Sequence, residues 1–300
     1  MQTIRCRGTV RKDGDMGSVA VLTGATGGLG TLVAAALAQT GVQLVLPARN
    51  ADRARAMEAS LRALAPDAAL DVRIVDLSVM DEVRRLGDTV ATDHPVIDLL
   101  VNNAGVHAFS QRVTPDGFPI MVATNYLAPW LLTSRLLPAL ERSAAARVVT
   151  VASEASRRHG TLRLPADLTD VAPFTSRGSS AQYGKSKLLA IMFALELARR
   201  TEGTDVASIC LDPGFNTTGL GRELRGATTI ERVLRALRIG DPNRGAGLIL
   251  RAATGADFGD RSGEYWTVRG PRRIVPAAPA DDARARRELW DETEALLARR

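Results

Sequence analysis

Short β-branched runs alternate along this chain with longer amphipathic Ala/Leu/Arg segments, a rhythm that persists from one end to the other. The apolar runs predict strands at "VAVLT" from Val19, "QLVLPA" from Gln43, "DVRIVD" from Asp71 and "IDLLVN" from Ile97. Three more follow at "RVVTVAS" from Arg147, "DVASICLD" from Asp205 and "EYWTV" from Glu264. Apolar residues at helical spacing predict helices over Gly28–Gln39, Ala51–Ala65, Val79–Thr92, Gly117–Leu140 and Ala181–Arg200. Strands joined by helical crossovers run parallel, and right-handed crossovers place helices on both faces of the sheet. The expected architecture is therefore α/β: one doubly wound domain around a parallel seven-stranded sheet.

The C-terminal "DDARARRELWDETEALLARR" is acidic at its start and Arg-rich at its end, with Leu289, Trp290, Leu296 and Leu297 on one face, which predicts a helix docked on the body. No composition break marks a linker, so residues 18–300 read as one domain and 1–17, "MQTIRCRGTVRKDGDMG", as a flexible N-terminal extension. The least regular stretches, Arg157 to Ser180 and Phe215 to Gly245, follow strands at the carboxyl edge, where open α/β sheets bind ligands. They are candidate lids over a substrate, or else plain surface loops.

With 300 residues, 45% of them hydrophobic, the chain can bury a substantial core. Its 39 basic residues are scattered among 33 acidic ones and aromatics make up only 4%, which argues against a nucleic-acid partner despite the net charge of +6. Cys6 and Cys210 have no neighbour at metal-ligand spacing, and His94, His107 and His159 form no cluster, so no metal is expected. No run approaches the roughly 18 apolar residues of a spanning helix, and the N-terminus lacks the apolar core of a signal peptide. A soluble cytoplasmic protein with no membrane partner is the expectation.

Candidate chemistry begins at "TGATGGLG". Gly24 can make a tight turn, Gly28 lets the backbone approach a pyrophosphate, and Gly30 permits close packing of helix on strand, while the helix N-terminus faces the phosphates. A glycine run alone is weak evidence and could be only a turn. Here a strand precedes it and a helix follows. Far along the chain, Tyr183 and Lys187 in "SSAQYGKSKLLAIMFALELARR" are four apart and share one helix face. A phenol is a poor acid-base catalyst near neutrality, and a nearby ammonium would favour its phenolate. By itself such a pair is a common helix face. Ser153, closing "RVVTVAS", and Asn125, in "VATNYLAPW", give it company, although Ser153 could simply cap local backbone.

Taken in order, these motifs resemble the short-chain dehydrogenase/reductase family, in the branch of retinol dehydrogenases and related carbonyl reductases, from about Ser18 to the C-terminal helix. The resemblance implies a Rossmann-type fold and an NADP(H)- or NAD(H)-dependent oxidoreductase. It implies that Ser153 hydrogen-bonds a substrate carbonyl, Tyr183 transfers the proton, Lys187 holds the nicotinamide ribose and tunes Tyr183, and Asn125 holds a water in a proton relay. The cofactor contacts it implies are Gly24, Thr26, Gly28, Leu29 and Gly30, Asp76 and Leu77 of "IVDLS" at the adenine, and "NNAG" as a pocket wall through Asn102, Asn103, Ala104 and Gly105. Pro213, Gly214 and Thr218 of "DPGFNTTGL" complete the set.

After the second strand comes "LPARN". A carboxylate there would bind a ribose 2′-hydroxyl, whereas Ala48 followed by Arg49 suits a 2′-phosphate, with Asn50 as helper. The reading is NADP(H), against that of Arg49 as a solvated loop charge. Ala152, Ala128-Pro129-Trp130 and Asp212 depart from the family pattern without removing a catalytic group. The candidate substrate pocket of His107, Phe109, His159, Phe215 and Leu220 suggests a hydrophobic carbonyl compound, although His107 and His159 could equally face solvent. The same scaffold could run a redox-neutral epimerisation or dehydration, or serve as a non-catalytic NADP(H)-binding protein. The resemblance also implies a homodimer or homotetramer paired through the helices of "NYLAPWLLTSRLLPAL" and "KLLAIMFALELARR".

Overall fold

A computed structural model describes residues 17–214 and 241–299. The expected N-terminal extension up to Met16, and with it Cys6, lies outside the described residues, as do Phe215, Thr218 and Leu220. The strands are β1 (Val19–Leu22), β2 (Gln43–Ala48), β3 (Leu70–Ile74), β4 (Leu99–Asn102), β5 (Ala146–Val151), β6 (Val206–Asp212), β7 (Tyr265–Thr267) and β8 (Arg272–Arg273). They form one sheet in the order β3-β2-β1-β4-β5-β6-β7-β8. The order reverses between β1 and β4, so the carboxyl ends of β1 and β4 flank the crevice in which such sheets take ligands.

Seven strands are parallel as expected, and the eighth is an addition. The two residues of β8 run antiparallel to β7, pairing Trp266 with Arg273 and Thr267 with Arg272. A parallel neighbour needs a long crossover, and the segment between Thr267 and Arg272 can only turn back.

Alternate residues of a strand serve opposite faces, and in β1 both sets are fully apolar. Val19 and Val21 join a core beneath α3 (Met80–Asp93), α5 (Ala128–Leu140) and α6 (Ser176–Arg200). Ala20 and Leu22 join a second core beneath α1 (Gly28–Ala38), α2 (Ala51–Leu64) and α7 (Pro242–Thr254). The helix expected from Gly117 begins later, as α4 (Ile120–Val122), because Pro119 supplies its extended cap; it then passes through a π-turn (Ala123–Leu127) into α5. The helix expected from Ala181 starts earlier, at Ser176.

The C-terminal helix, α8 (Ala283–Ala298), is capped by Asp282, whose carboxylate accepts from Arg284 N–H at 2.7 Å. Trp290 lies against Trp130 of α5 at 5.2 Å and Phe193 of α6 at 6.0 Å between ring centroids. Arg200 sits over the Trp290 ring at 4.5 Å, and Thr293 bonds the Tyr126 hydroxyl. The chain thus covers with its own helix apolar residues of the two helices expected to pair with a second subunit. No helix among the described residues is long and apolar enough to cross a membrane. Trp290→Ala should cost about 3–5 kcal/mol, read as a lower midpoint in urea unfolding; an unchanged midpoint would mean that α8 is not part of the cooperative fold.

Candidate active site

The site is assembled at the carboxyl edge by a few close approaches. Thr23, directly after β1, donates its hydroxyl hydrogen to Val101 O at 3.2 Å and accepts from Asn103 N–H and Ala104 N–H, both at 3.0 Å. The Asn103 amide donates to Thr23 O at 2.9 Å. One hydroxyl thereby joins the turns after β1 and β4. Gly24 has a φ of +73°, and a Cβ there would stand 2.9 Å from Ala104 Cα. A Cβ on Gly30 would stand 2.1 Å from Gly24 O, so only glycine lets α1 sit this deep under its own turn. No side chain caps α1 and no acidic residue lies in its first turn, which leaves its N–H groups and positive end to an anion. Thr26 and Gly28 lie in this turn, half-buried, while the Leu29 side chain belongs to the core and can offer a ligand only its backbone.

The remaining cofactor candidates line the same edge. Arg49 is exposed at the end of β2, and Asn50 caps α2 by accepting from Arg53 N–H at 2.9 Å. Asp76 accepts from Ser78 N–H at 2.9 Å, and Leu77 packs against the core. Gly105 is exposed, whereas Asn102 is not part of the wall expected of it: the side chain is buried and donates to Thr133 Oγ1 at 3.1 Å. Four residues of a strand alternate in direction, and the last of β4 points into the core.

On the other side of β4, Ser153 follows β5 and Tyr183 lies on α6, their side chains close enough to influence one another. Ser153 also accepts from Ala155 N–H at 3.1 Å, so it caps the short turn Glu154–Arg158 as well as meeting the tyrosine. This meeting depends on Gly184, where a Cβ would stand 2.6 Å from Ala155 O. Lys187, one turn on, is buried and donates to Val151 O at 2.8 Å, with Nζ 5.9 Å from the Tyr183 ring centroid. Asn125 sits in the π-turn; its Oδ1 accepts from Val106 N–H at 2.7 Å, and its Nδ2 donates to Val106 O and Ser186 Oγ, both at 2.9 Å. Asn125 therefore fixes the turn after β4 against α6, and a π-turn is a frequent device for such a placement.

Burial pushes the Tyr183 phenol above its usual range, the Asp212 carboxylate adds to this, and the nearby Ser153 side chain opposes it. The lowering expected from Lys187 is not found. Burial depresses that amine from its ordinary value to about 8, against the pull of Cys210 and Asp212, which leaves it largely protonated near neutrality. His107 stacks on Tyr183 with centroids 4.5 Å apart and on Phe109 at 4.8 Å, forming an aromatic wall beside the phenol. His159 is half-buried next to Gly184, with its Nδ1 unpartnered among the described residues. Pro213 and Gly214 follow β6 at the same edge. Among the described residues no group of His, Cys, Asp or Glu is disposed to hold a metal.

Thr23 and Gly184 are working residues that sequence reading passed over, and Asp212 was noted there only as a departure from the family pattern. A glycine inside a helix, immediately after the tyrosine, costs helix stability and so signals a packing need. Thr23 carries only the weak signal of a hydroxyl closing an apolar strand.

A doubly wound sheet with a glycine turn at its crossing point and a Ser–Tyr–Lys set on the same edge defines a nicotinamide-dependent oxidoreductase scaffold. The chain belongs to the short-chain dehydrogenase family: the model of that family, described as short chain dehydrogenase, matches residues 18–164. Human retinol dehydrogenase 14 is 32% identical over 96% of this chain and 90% of its own length. A crystal structure of an uncharacterized protein from Mycobacterium paratuberculosis superposes with a TM-score of 0.74 at 28% identity, covering 94% of this chain and 93% of that one. A metagenomic short-chain oxidoreductase in complex with NADP gives a TM-score of 0.53 at 25% identity, covering 75% of this chain and 92% of that one.

The buried amine has a thermodynamic signature. With a folded pKa near 8 against an ordinary 10.5, Lys187 binds fewer protons folded than unfolded between these values. Its charging cost is full below about pH 8 and is lost as pH rises to 10.5. The stability of Lys187→Met relative to wild type should therefore be most favourable below pH 8 and decline across that window in thermal melts. A difference independent of pH would contradict a charged, desolvated Lys187.

Proposed function

We propose that the protein is an NADP(H)-dependent oxidoreductase that reduces a ketone or aldehyde of a hydrophobic small molecule, or oxidises the corresponding alcohol. The observation that carries this is the convergence of Ser153, Tyr183 and Lys187 on the sheet edge that also bears the Gly24–Gly30 turn. That turn fits a dinucleotide: it is a cradle that side chains would fill, at an uncapped helix N-terminus. Exposed Arg49 after Ala48 favours the 2′-phosphate of NADP(H), in line with the metagenomic relative in complex with NADP. The human relative is named for retinol, an alcohol on a long apolar chain, and the His107–Phe109 wall beside Tyr183 suits an apolar or aromatic substrate.

When bound, the dihydronicotinamide supplies hydride to the carbonyl carbon. The chain's part is orientation and proton transfer. Ser153 donates a hydrogen bond to the carbonyl oxygen and polarises it. Tyr183, held as the neutral phenol by its surroundings, gives its proton to that oxygen, and the resulting phenolate regains a proton from solvent, with Asn125 at the relay. Lys187 would hold the ribose hydroxyls beside Tyr183. Each turnover then converts one carbonyl, one hydride and one proton into one alcohol.

Tyr183→Phe should lower the rate of NADPH oxidation with aromatic aldehydes or ketones by roughly 10²–10⁴-fold while leaving NADPH affinity nearly unchanged. Near-normal turnover in this variant would remove Tyr183 from proton transfer.

A further inference from the structure

Asp212 ends β6 directly before the Pro213–Gly214 turn and is 2% exposed. One carboxylate oxygen accepts from Glu154 N–H at 3.2 Å and the other from the Thr267 hydroxyl at 3.0 Å. Gly214 N–H donates to it as well. Donors from the turns after β5 and β6 and from the end of β7 thus converge on one buried acid, the arrangement that an ionised carboxylate requires when it leaves water. Burial raises its pKa in spite of them. Glu154 is the neighbour of Ser153, so the bond to its N–H also locates the serine.

The titratable groups facing Asp212 are Glu154 from the turn after β5, Tyr183 and Lys187 from α6, Cys210 from its own strand and Tyr265 from β7. Tyr265 donates its hydroxyl hydrogen to Glu154 at 3.2 Å, so that side of the cluster is already paired. The groups of this cluster that belong to the reaction are Tyr183 and Lys187.

We propose that Asp212 is a positioning residue that fastens the Ser153 corner to the Pro213–Gly214 turn and to β7, and that it sets a buried negative charge behind the Ser153–Tyr183 corner, biasing the enzyme toward carbonyl reduction. The proposal rests on the reading of Tyr183 as proton donor. A carboxylate beside a phenol disfavours the phenolate. A phenol that stays protonated near neutrality can pass its proton to the carbonyl oxygen as hydride reaches the carbon, whereas alcohol oxidation needs the phenolate as base. A neutral residue of the same shape in place of Asp212 eases that ionisation.

The chain has three tyrosines, so isotope-labelled tyrosine yields three phenol resonances by NMR, and Tyr183→Phe assigns the one that matters. With the protein saturated with NADP⁺, Asp212→Asn should move the Tyr183 titration midpoint roughly one pH unit lower. Thr267→Val, which keeps the charge and removes one bond, should leave it near the wild-type value. The same midpoint in wild type and Asp212→Asn overturns the proposal, as does no ionisation in either up to the highest pH at which both stay folded. An equal shift in Thr267→Val overturns it too, because geometry would then account for the effect. Asp212→Ser takes the place of the asparagine variant should that one not fold. Failure of the underlying reading is separate: it would show as retained NADPH oxidation in Tyr183→Phe.

Discussion

Helix α6 lies against the turn that follows β5 so closely that Gly184 has no room for a Cβ. That contact sets the distance between a strand-end serine and a helix tyrosine from different parts of the chain, and the rest of the site is fastened around it. Lys187 ties α6 to β5 through Val151 O, and Asn125 ties it to the turn after β4 through Ser186 and Val106. Across β4, Thr23 and Asn103 repeat the device, clasping the glycine turn to the same strand end. The edge is therefore one rigid surface from the glycine turn to Tyr183, which is what a dinucleotide spanning it requires.

Much of this was legible in the sequence because two periodicities and a few turn residues carry it. Val19–Leu22 and Gln43–Ala48 are apolar on both faces, and the glycine turn stands where a parallel strand meets a helix. Ser153, Tyr183 and Lys187 were recognisable by residue type and order. What escaped was set by contacts between segments remote in sequence. Nothing local shows that Gly184 must clear Ala155 O, that Thr23 bonds a loop some eighty residues on, or that Asn102 faces Thr133 and not the pocket. The short antiparallel β8 escaped because two arginines carry no apolar pattern.

The electrostatics also depend on tertiary burial. From sequence, Lys187 is a cation that should ease ionisation of Tyr183; in the folded protein the amine is itself desolvated, and burial together with Asp212 pushes the tyrosine's pKa up. Two ionisable groups held out of water, Lys187 and Asp212, cost stability, and the packing of α8 onto α5 and α6 around Trp290 is part of what offsets that cost.

The central claim is that the glycine turn and the Tyr183–Lys187 stretch hold the two ends of one dinucleotide. Calorimetric titration with NADPH of the wild type, Gly27→Asp and Lys187→Met tests it directly. Gly27 caps α1 in open space, so an aspartate fits there without a clash and places a negative charge at the phosphate turn. The account predicts that each variant, while folded, binds NADPH about tenfold or more weakly, the step that 1.4 kcal/mol represents. Wild-type affinity in either variant would contradict it and separate the two stretches.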